Sequence, residues 1–319
     1  MKEGSRVRDR REDLRRLFSR VVDTLSRAGK KYAPLKFPTS YRERSIDLIA
    51  VGKDGKNAVL RIKSGSRITK EEAEDLRKAS LALDSIPIAV SDDPSLYDNI
   101  IYEKEGVYLM NERTLDNLYN KPNEIIALYR KGDLYLVVNR DAIKRERARK
   151  EMSLGDASYA LNLSRKMIYT YEKEGGMVTI ETAEKLVNLF GTDAVMSVNH
   201  EMIREDFMNK ARRKVEADAT DVIKEIVEGG EAYKLRKSAP DYIVKGEDVE
   251  TVIDATSKEF SLRKVVKKVT ECVKLSEFAW SNVHLLVTPS RVEVVRDELS
   301  TQVSLNKIRL HKIRKSSEG

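Results

Sequence analysis

The stretch MSLGDASYALNLSRKMIYTYE, residues 152–172, decides how the chain is read. Ser153-Leu154-Gly155-Asp156 matches a capping box and opens a helix that runs to Leu161. Asn162-Leu163-Ser164 makes a turn: Asn tolerates the left-handed backbone such a turn needs, and Leu163 plugs the core. Ser164 caps the next helix, Arg165–Lys173, whose buried face is Ile168 and Tyr171. The small Ala157 and Ala160 let the two helices approach closely at a steep angle. Arg165, Lys166 and Tyr169 are left on an open polar face.

Working outward, Ala142–Lys150 reads as a preceding helix with Ile143 inward and Lys144, Arg145, Arg147, Arg149 and Lys150 outward. On the other side Thr179 caps a fourth helix, with Ala183, Leu186, Val187 and Phe190 inward and Gly191 as its C-cap. No strand signal follows the strand-like Leu134–Asn139 in this segment, which predicts an all-α unit. From Ala142 to Lys173 there are eight Lys and Arg against four Asp and Glu, an excess that favours contact with phosphates. A helix that presents such a face at its start can enter a DNA major groove.

The flanking segments have α/β character. A helix carrying Leu14, Leu17, Phe18, Val21, Val22 and Leu25 on one face ends at Gly29. Ser45–Val51 and Ala58–Ile62 are β-rich runs joined by the turn signal Lys53-Asp54-Gly55-Lys56. Thr69-Lys70-Glu71-Glu72 is a second capping box, opening a helix to about Leu83, and Ile86–Val90 and Val107–Met110 follow as strands. The order α-β-β-β-α-β describes a small domain with a mixed sheet. After Met202 helical spacing continues through Ile203, Phe207, Ala211, Val215, Val222, Ile223 and Ile226 to Gly229-Gly230.

The two ends repeat one another. The segment from Val21 to Tyr32 resembles that from Val222 to Tyr233, Ile46–Ile49 aligns with Pro240–Ile243, and Ile86–Val90 aligns with Val283–Val287. Each copy carries a helix between these points, Thr69–Leu83 in one and about Ser261–Leu275 in the other. Two degenerate copies of one α/β domain therefore flank a helical insert.

Bulk composition narrows the function. The 319 residues suffice for two or three domains, and 40% hydrophobic residues is ordinary for a soluble globular chain. No apolar run approaches the roughly eighteen residues that span a bilayer, and no apolar segment follows the basic Met1–Arg11, so neither membrane nor secretory signal is expected. One cysteine, Cys272, excludes an intramolecular disulfide framework, and three scattered histidines argue against a histidine-rich metal site. A net charge of +8, with 35% of residues charged, suits a cytoplasmic protein that meets a polyanion on one face. Cys272 among Val269, Val273 and Leu275 reads as a buried thiol, and Trp280 and Tyr233 as core or interface aromatics. The tail Lys307–Lys315 is basic and reads as solvated.

The residues from Met152 to Glu172 resemble the Cro/repressor-type helix-turn-helix, and residues 10–195 as a whole resemble the archaeal HTH-type transcriptional regulatory proteins. That resemblance implies that Arg165, Lys166 and Tyr169 face bases and that Ser164 and Lys173 sit near phosphates, with Thr170 and Ser153 completing the DNA-binding set. It departs at Leu154, where such motifs often carry a Gln that clamps a phosphate. Repressor-like proteins usually work as dimers because two half-sites one helical turn apart need two recognition helices, so a homodimer is expected, with the flanking α/β domains supplying much of the interface or supporting the DNA.

The flanking domains resemble the PD-(D/E)XK nucleases, in which two carboxylates hold a divalent metal and a Lys helps activate water. The first copy offers Asp47 and Lys63 but has Arg61 where the second carboxylate belongs. The second offers Asp241 and Asp254 but has Thr256 at the Lys position. No catalytic residue, metal ligand or cofactor is expected, and nothing designates a small-molecule effector. The expected organisation is a restriction-endonuclease-like α/β domain over residues 1–130, an all-α lambda-repressor-like domain over 131–198 and a second degenerate α/β domain over 199–319. The function expected is a sequence-specific, non-enzymatic regulator of transcription bound to double-stranded DNA. The alternative is a structure-specific nucleic-acid binder or residual metal-dependent nuclease.

Overall fold

A computed structural model describes residues 2–121, 124–213, 215–217, 221–226 and 230–313. Gly229 and the last two residues of the basic tail 307–315 lie outside them. The first part comprises helix α1 (Lys2–Arg27), strands β1 (Lys31–Pro34), β2 (Leu48–Val51) and β3 (Ala58–Lys63), and helix α2 (Lys70–Ala82). Strands β4 (Ile86–Ser91), β5 (Ile100–Lys104) and β6 (Val107–Met110), helix α3 (Glu112–Asn120), and strands β7 (Ala127–Arg130) and β8 (Asp133–Val138) continue it. The middle holds helices α4 (Arg140–Arg149), α5 (Leu154–Leu161) and α6 (Arg165–Lys173), strand β9 (Met177–Thr179), helix α7 (Ile180–Phe190) and strand β10 (Val195–Met196). The last part runs through helices α8 (His200–Ala211) and α9 (Asp221–Ile226) and strands β11 (Glu231–Lys234), β12 (Tyr242–Lys245) and β13 (Val249–Asp254). Helix α10 (Leu262–Leu275), strand β14 (Val283–Val287), helix α11 (Val292–Ser300) and strand β15 (Ile308–Lys312) complete it.

Two sheets result among the described residues. The larger has the order β1-β2-β3-β4-β6-β5-β7-β8-β10, with β9 also on β8, and the smaller has the order β11-β12-β13-β14-β15. Each opens with two antiparallel pairings and continues with two parallel ones: β1/β2 and β2/β3, then β3/β4 and β4/β6, in one. The other has β11/β12 and β12/β13, then β13/β14 and β14/β15. The repeat read from the sequence is thus a repeat of topology.

The middle segment is not all-α. β9 pairs with Tyr135–Val137 of β8, and β10 pairs with Val137 and Val138. Gly175 and Gly176, at φ 75° and 123°, turn the chain from α6 back along β8, where Met177-Val178-Thr179 suits a β edge. The four helices are therefore stitched to the large sheet by two short strands, β9 and β10. They keep a separate core of Ile143, Ala157, Leu161, Ile168, Leu186 and Phe190.

The two α/β parts share one continuous core, from Leu17 and Leu60 in the first to Val269, Leu285 and Leu299 in the last. Helix α2 packs on β11 and β12, while α10 packs on β1. The polar contacts are reciprocal. Asp75 of α2 accepts the backbone N–H groups of Arg236 (2.9 Å) and Lys237 (2.8 Å), and Glu271 of α10 accepts those of Lys36 (2.9 Å) and Phe37 (3.0 Å). Burial pushes both carboxyls up from their usual range, although these hydrogen bonds oppose it. Cys272 and Trp280 are buried in this core, the indole N–H donating to the Cys272 carbonyl at 2.9 Å.

Candidate nucleic-acid interface

The turn between α5 and α6 has the geometry its residues call for. Ser153 accepts Asp156 N (3.1 Å) while its own N–H donates to Asp156 Oδ2 (2.8 Å), and this capping box holds the Asp156 carboxyl below its usual range. Asn162 sits at φ 53°, ψ 46°, in the left-handed region. Ser158 fastens the turn from behind, its hydroxyl donating to Leu163 O at 2.6 Å and its carbonyl accepting Leu163 N at 3.0 Å. Ser164 caps α6 by accepting Met167 N at 3.1 Å.

Helix α6 is held to α4 by charge as well as by Ile168. Arg147 donates to both oxygens of Glu172, with Nη2 at 2.9 Å from Oε2, and from Nη1 to Met152 O at 2.7 Å. The sequence placed Arg147 outward; its bond to Glu172, a planar fork against a carboxylate, turns it inward instead. Ala160 also differs from expectation, because it is exposed and only Ala157 lies in the helix contact.

Of the seven candidate DNA contacts, Arg165, Lys166, Tyr169 and Lys173 are exposed along α6. Lys173 Nζ lies 5.6 Å from the Tyr169 ring centroid, so the amine and the ring share one patch. Thr170 is half-buried, and Ser153 and Ser164 are exposed but engaged as caps. Arg165 folds back across α5: a Cβ on Gly155 would stand 3.0 Å from Arg165 Nη2. Two exposed residues escaped the sequence reading, Met167 on α6 and Tyr159 on α5, the latter 92% exposed. An aromatic inside a helix pattern gives no sign of its direction when the helix is only eight residues long.

A second polar cluster lies in the first α/β part. Asp47, just ahead of β2, accepts Arg44 Nη1 (3.0 Å), Ile62 N (2.8 Å) and Arg61 Nη1. Arg61 also donates from Nε to Glu72 Oε1 (2.8 Å) and from Nη2 to Tyr41 O (2.9 Å), with its Cζ 4.4 Å from the Tyr41 ring centroid. Lys63 Nζ meets Glu72 Oε2 at 2.6 Å. Burial works against the charge on both partners, yet Asp47 holds the Arg61 guanidinium above its usual pKa, and Lys63 and Arg61 hold Glu72 below its own. Glu72 is thus the second carboxylate of the cluster, supplied by α2 and hidden in the sequence behind its role as the capping-box acid.

The corresponding cluster in the last part is placed by register. Asp47 N donates to Leu60 O and Asp241 N to Val252 O, so Val252 stands where Leu60 does. Ile253 then matches Arg61, Asp254 matches Ile62 and Ala255 matches Lys63. Asp254 is one residue out of the position assigned to it from sequence. It is exposed and accepts Thr256 N and Oγ1 at 2.9 and 2.7 Å, and Thr256 is not at the Lys position. Asp241 is left with Lys268 of α10 as its cation.

Residues 14–125 match the model of the PD-(D/E)XK superfamily domain, which is the class that the β1–β3, α2, β4 arrangement around Asp47 defines. A protein of Sulfolobus acidocaldarius named "Putative HTH-type transcriptional regulatory protein" is 30% identical over 211 residues, 65% of this chain and 67% of its own length. Proteins of the same description from Saccharolobus islandicus and Saccharolobus solfataricus are 26% and 27% identical over 290 and 286 residues, each match covering 87% of this chain and 89% of the relative. No solved structure matches. The chain belongs to this archaeal family of HTH-type transcriptional regulatory proteins. No helix among the described residues is long and apolar enough to cross a membrane.

Proposed function

We propose that the chain is a sequence-specific regulator of transcription that binds double-stranded DNA by placing α6 in the major groove. The observation that carries this reading is the exposed face of α6, where Lys166, Tyr169 and Lys173 are exposed beside Arg165, itself exposed but laid across α5, on a helix whose other side is fixed to α4 and α5. Arg165 and Lys166 are the base readers, since Arg and Lys suit guanine O6 and N7. Tyr169 packs against a base or sugar, Lys173 meets a phosphate, and the cap at Ser164 aims the free N–H groups of α6 at the backbone. The three-part division at about residues 130 and 198 belongs to the same reading. One chain carries one such helix among the described residues, so a palindromic operator is read by a homodimer. Its contact uses surfaces other than the faces through which the two α/β parts already meet.

Selection of binding sites from random duplex DNA with full-length protein tests this reading. A palindromic motif with half-sites about ten base pairs apart is expected. Recovery of no motif, with only salt-labile binding, rejects it. The match over residues 14–125 favours a second reading, a structure-specific nucleic-acid binder or metal-dependent nuclease. It requires cleavage that Asp47→Asn or Asp241→Ala abolishes, whereas the regulator retains specific binding in EDTA and cuts nothing.

A further inference from the structure

The PD-(D/E)XK frame implies a divalent metal between carboxylates at the ends of β2 and β3. The residues here do not fit one. Among the described residues no group of three or more His, Cys, Asp or Glu is arranged to hold a metal ion. At the first centre three cations, Arg44, Arg61 and Lys63, already face the two carboxylates of Asp47 and Glu72, so a further double positive charge meets repulsion. Access is closed as well: Asp47 is 1% and Arg61 4% exposed, and the Tyr41 ring lies against the guanidinium.

We propose that Arg61 is a built-in replacement for the metal, its guanidinium joining the same two carboxylates that an ion would join. Nη1 serves Asp47 and Nε serves Glu72, so one cation ties β2 to α2. The last α/β part reaches the same end from a different element. Asp75 and Glu271 hold equivalent places, each accepting two backbone N–H groups from the opposite part, and three residues earlier Glu72 corresponds to Lys268. Ile253 replaces Arg61 there, and Lys268 Nζ meets Asp241 from the helix. A chain-borne cation therefore reaches the retained Asp in both parts, once from a strand and once from a helix. Neither part needs a divalent ion to fold. The inference is independent of the DNA-binding reading and survives its failure.

The test is thermal denaturation of the full chain in EDTA and in millimolar MnCl2. Wild type is expected to melt at the same midpoint in both. Arg61→Ala is expected to melt lower in EDTA and to regain several degrees in Mn2+, and the gain is lost when Asp47→Asn is added. Lys268→Ala is expected to melt lower with no gain, because the Asp254 carboxylate that acts on Asp241 is exposed and already accepts Thr256 N and Oγ1. Should Arg61→Ala fail to fold, Arg61→Gln, which keeps most of the length and removes the charge, carries the same comparison. A Mn2+-dependent rise in wild type that Asp47→Asn removes overturns the proposal. So does an Arg61 variant rescued by millimolar guanidinium but not by Mn2+, since the position is then shaped for a planar donor and not for an ion.

Discussion

Two clusters in this chain are built from the same residue types. Tyr41, Arg61 and Lys63 form one, and Arg165, Lys166 and Tyr169 the other. In the first, the Arg61 nitrogens donate to Asp47, Glu72, Tyr41 and Ile62, and its charge is consumed inside the fold. In the second the three side chains stand on an exposed helix face. Burial and partner carboxylates separate them, because a cation already paired in low dielectric has nothing left for a phosphate, while an exposed one exchanges bound counterions for DNA. Basic residues near a nuclease-like frame are therefore no guide to a binding surface until their partners are counted.

The comparison is most exposed to failure at Arg61. Truncating one member of a buried pair strands the others, so Arg61→Ala is expected to cost about 3–5 kcal/mol of stability in chemical denaturation without metal. The folded fraction should keep its affinity for a selected operator. A variant that folds normally but no longer binds DNA would merge the two clusters into one surface.

A third basic group sharpens the contrast. His200 is buried, with Nε2 3.2 Å from Asn57 O, and burial pushes its pKa down from 6.5 to about 4. The folded state then binds fewer protons than the unfolded state between these values. Stability is complete above the unfolded pKa and is lost as pH falls toward about 4, by about 3 kcal/mol in all. Denaturation of wild type and His200→Gln across that window isolates the effect from the carboxylates that titrate at its lower end. Superimposable pH profiles would remove His200 from the buried class.

At α6 the effects should invert. Arg165→Ala is expected to weaken binding at its cognate base pair by about 1–3 kcal/mol and to change stability by no more than about 0.5 kcal/mol. Equal affinity for the selected site would mean that α6 does not dock by this face. The smallest effect is at the cap, where Ser164→Ala should lower stability by about 1 kcal/mol, measured as a shift in denaturation midpoint.

Local features of this fold were legible in the sequence, and those set by distant pairing were not. The side chains of Thr69, Ser153, Ser164 and Thr179 cap the helices they were expected to open, and Asn162 adopts the left-handed turn, because each depends on residues within three or four positions. Val107–Met110 and Val283–Val287 are strands over those same residues, being continuous apolar runs. β10, only two residues long, carries no period of its own and exists because β8 offers it an edge. Asp254 was misplaced by one residue because strand register is set across the sheet by Asp241 and Val252. Glu72 reaches Arg61, and Lys268 reaches Asp241, from helices, a convergence that strand motifs do not encode.

The reciprocal bonds between the α/β parts set a timetable for synthesis. Asp75 waits 161 residues for Arg236, and Lys36 waits 235 residues for Glu271. At translation speeds of about 5–20 residues per second, the first part spends on the order of 10–50 s outside the ribosome with that face uncovered. During that interval the nascent chain is open to the same face of a neighbouring copy on the same message, so the partner it was built to meet arrives in competition with its own duplicates.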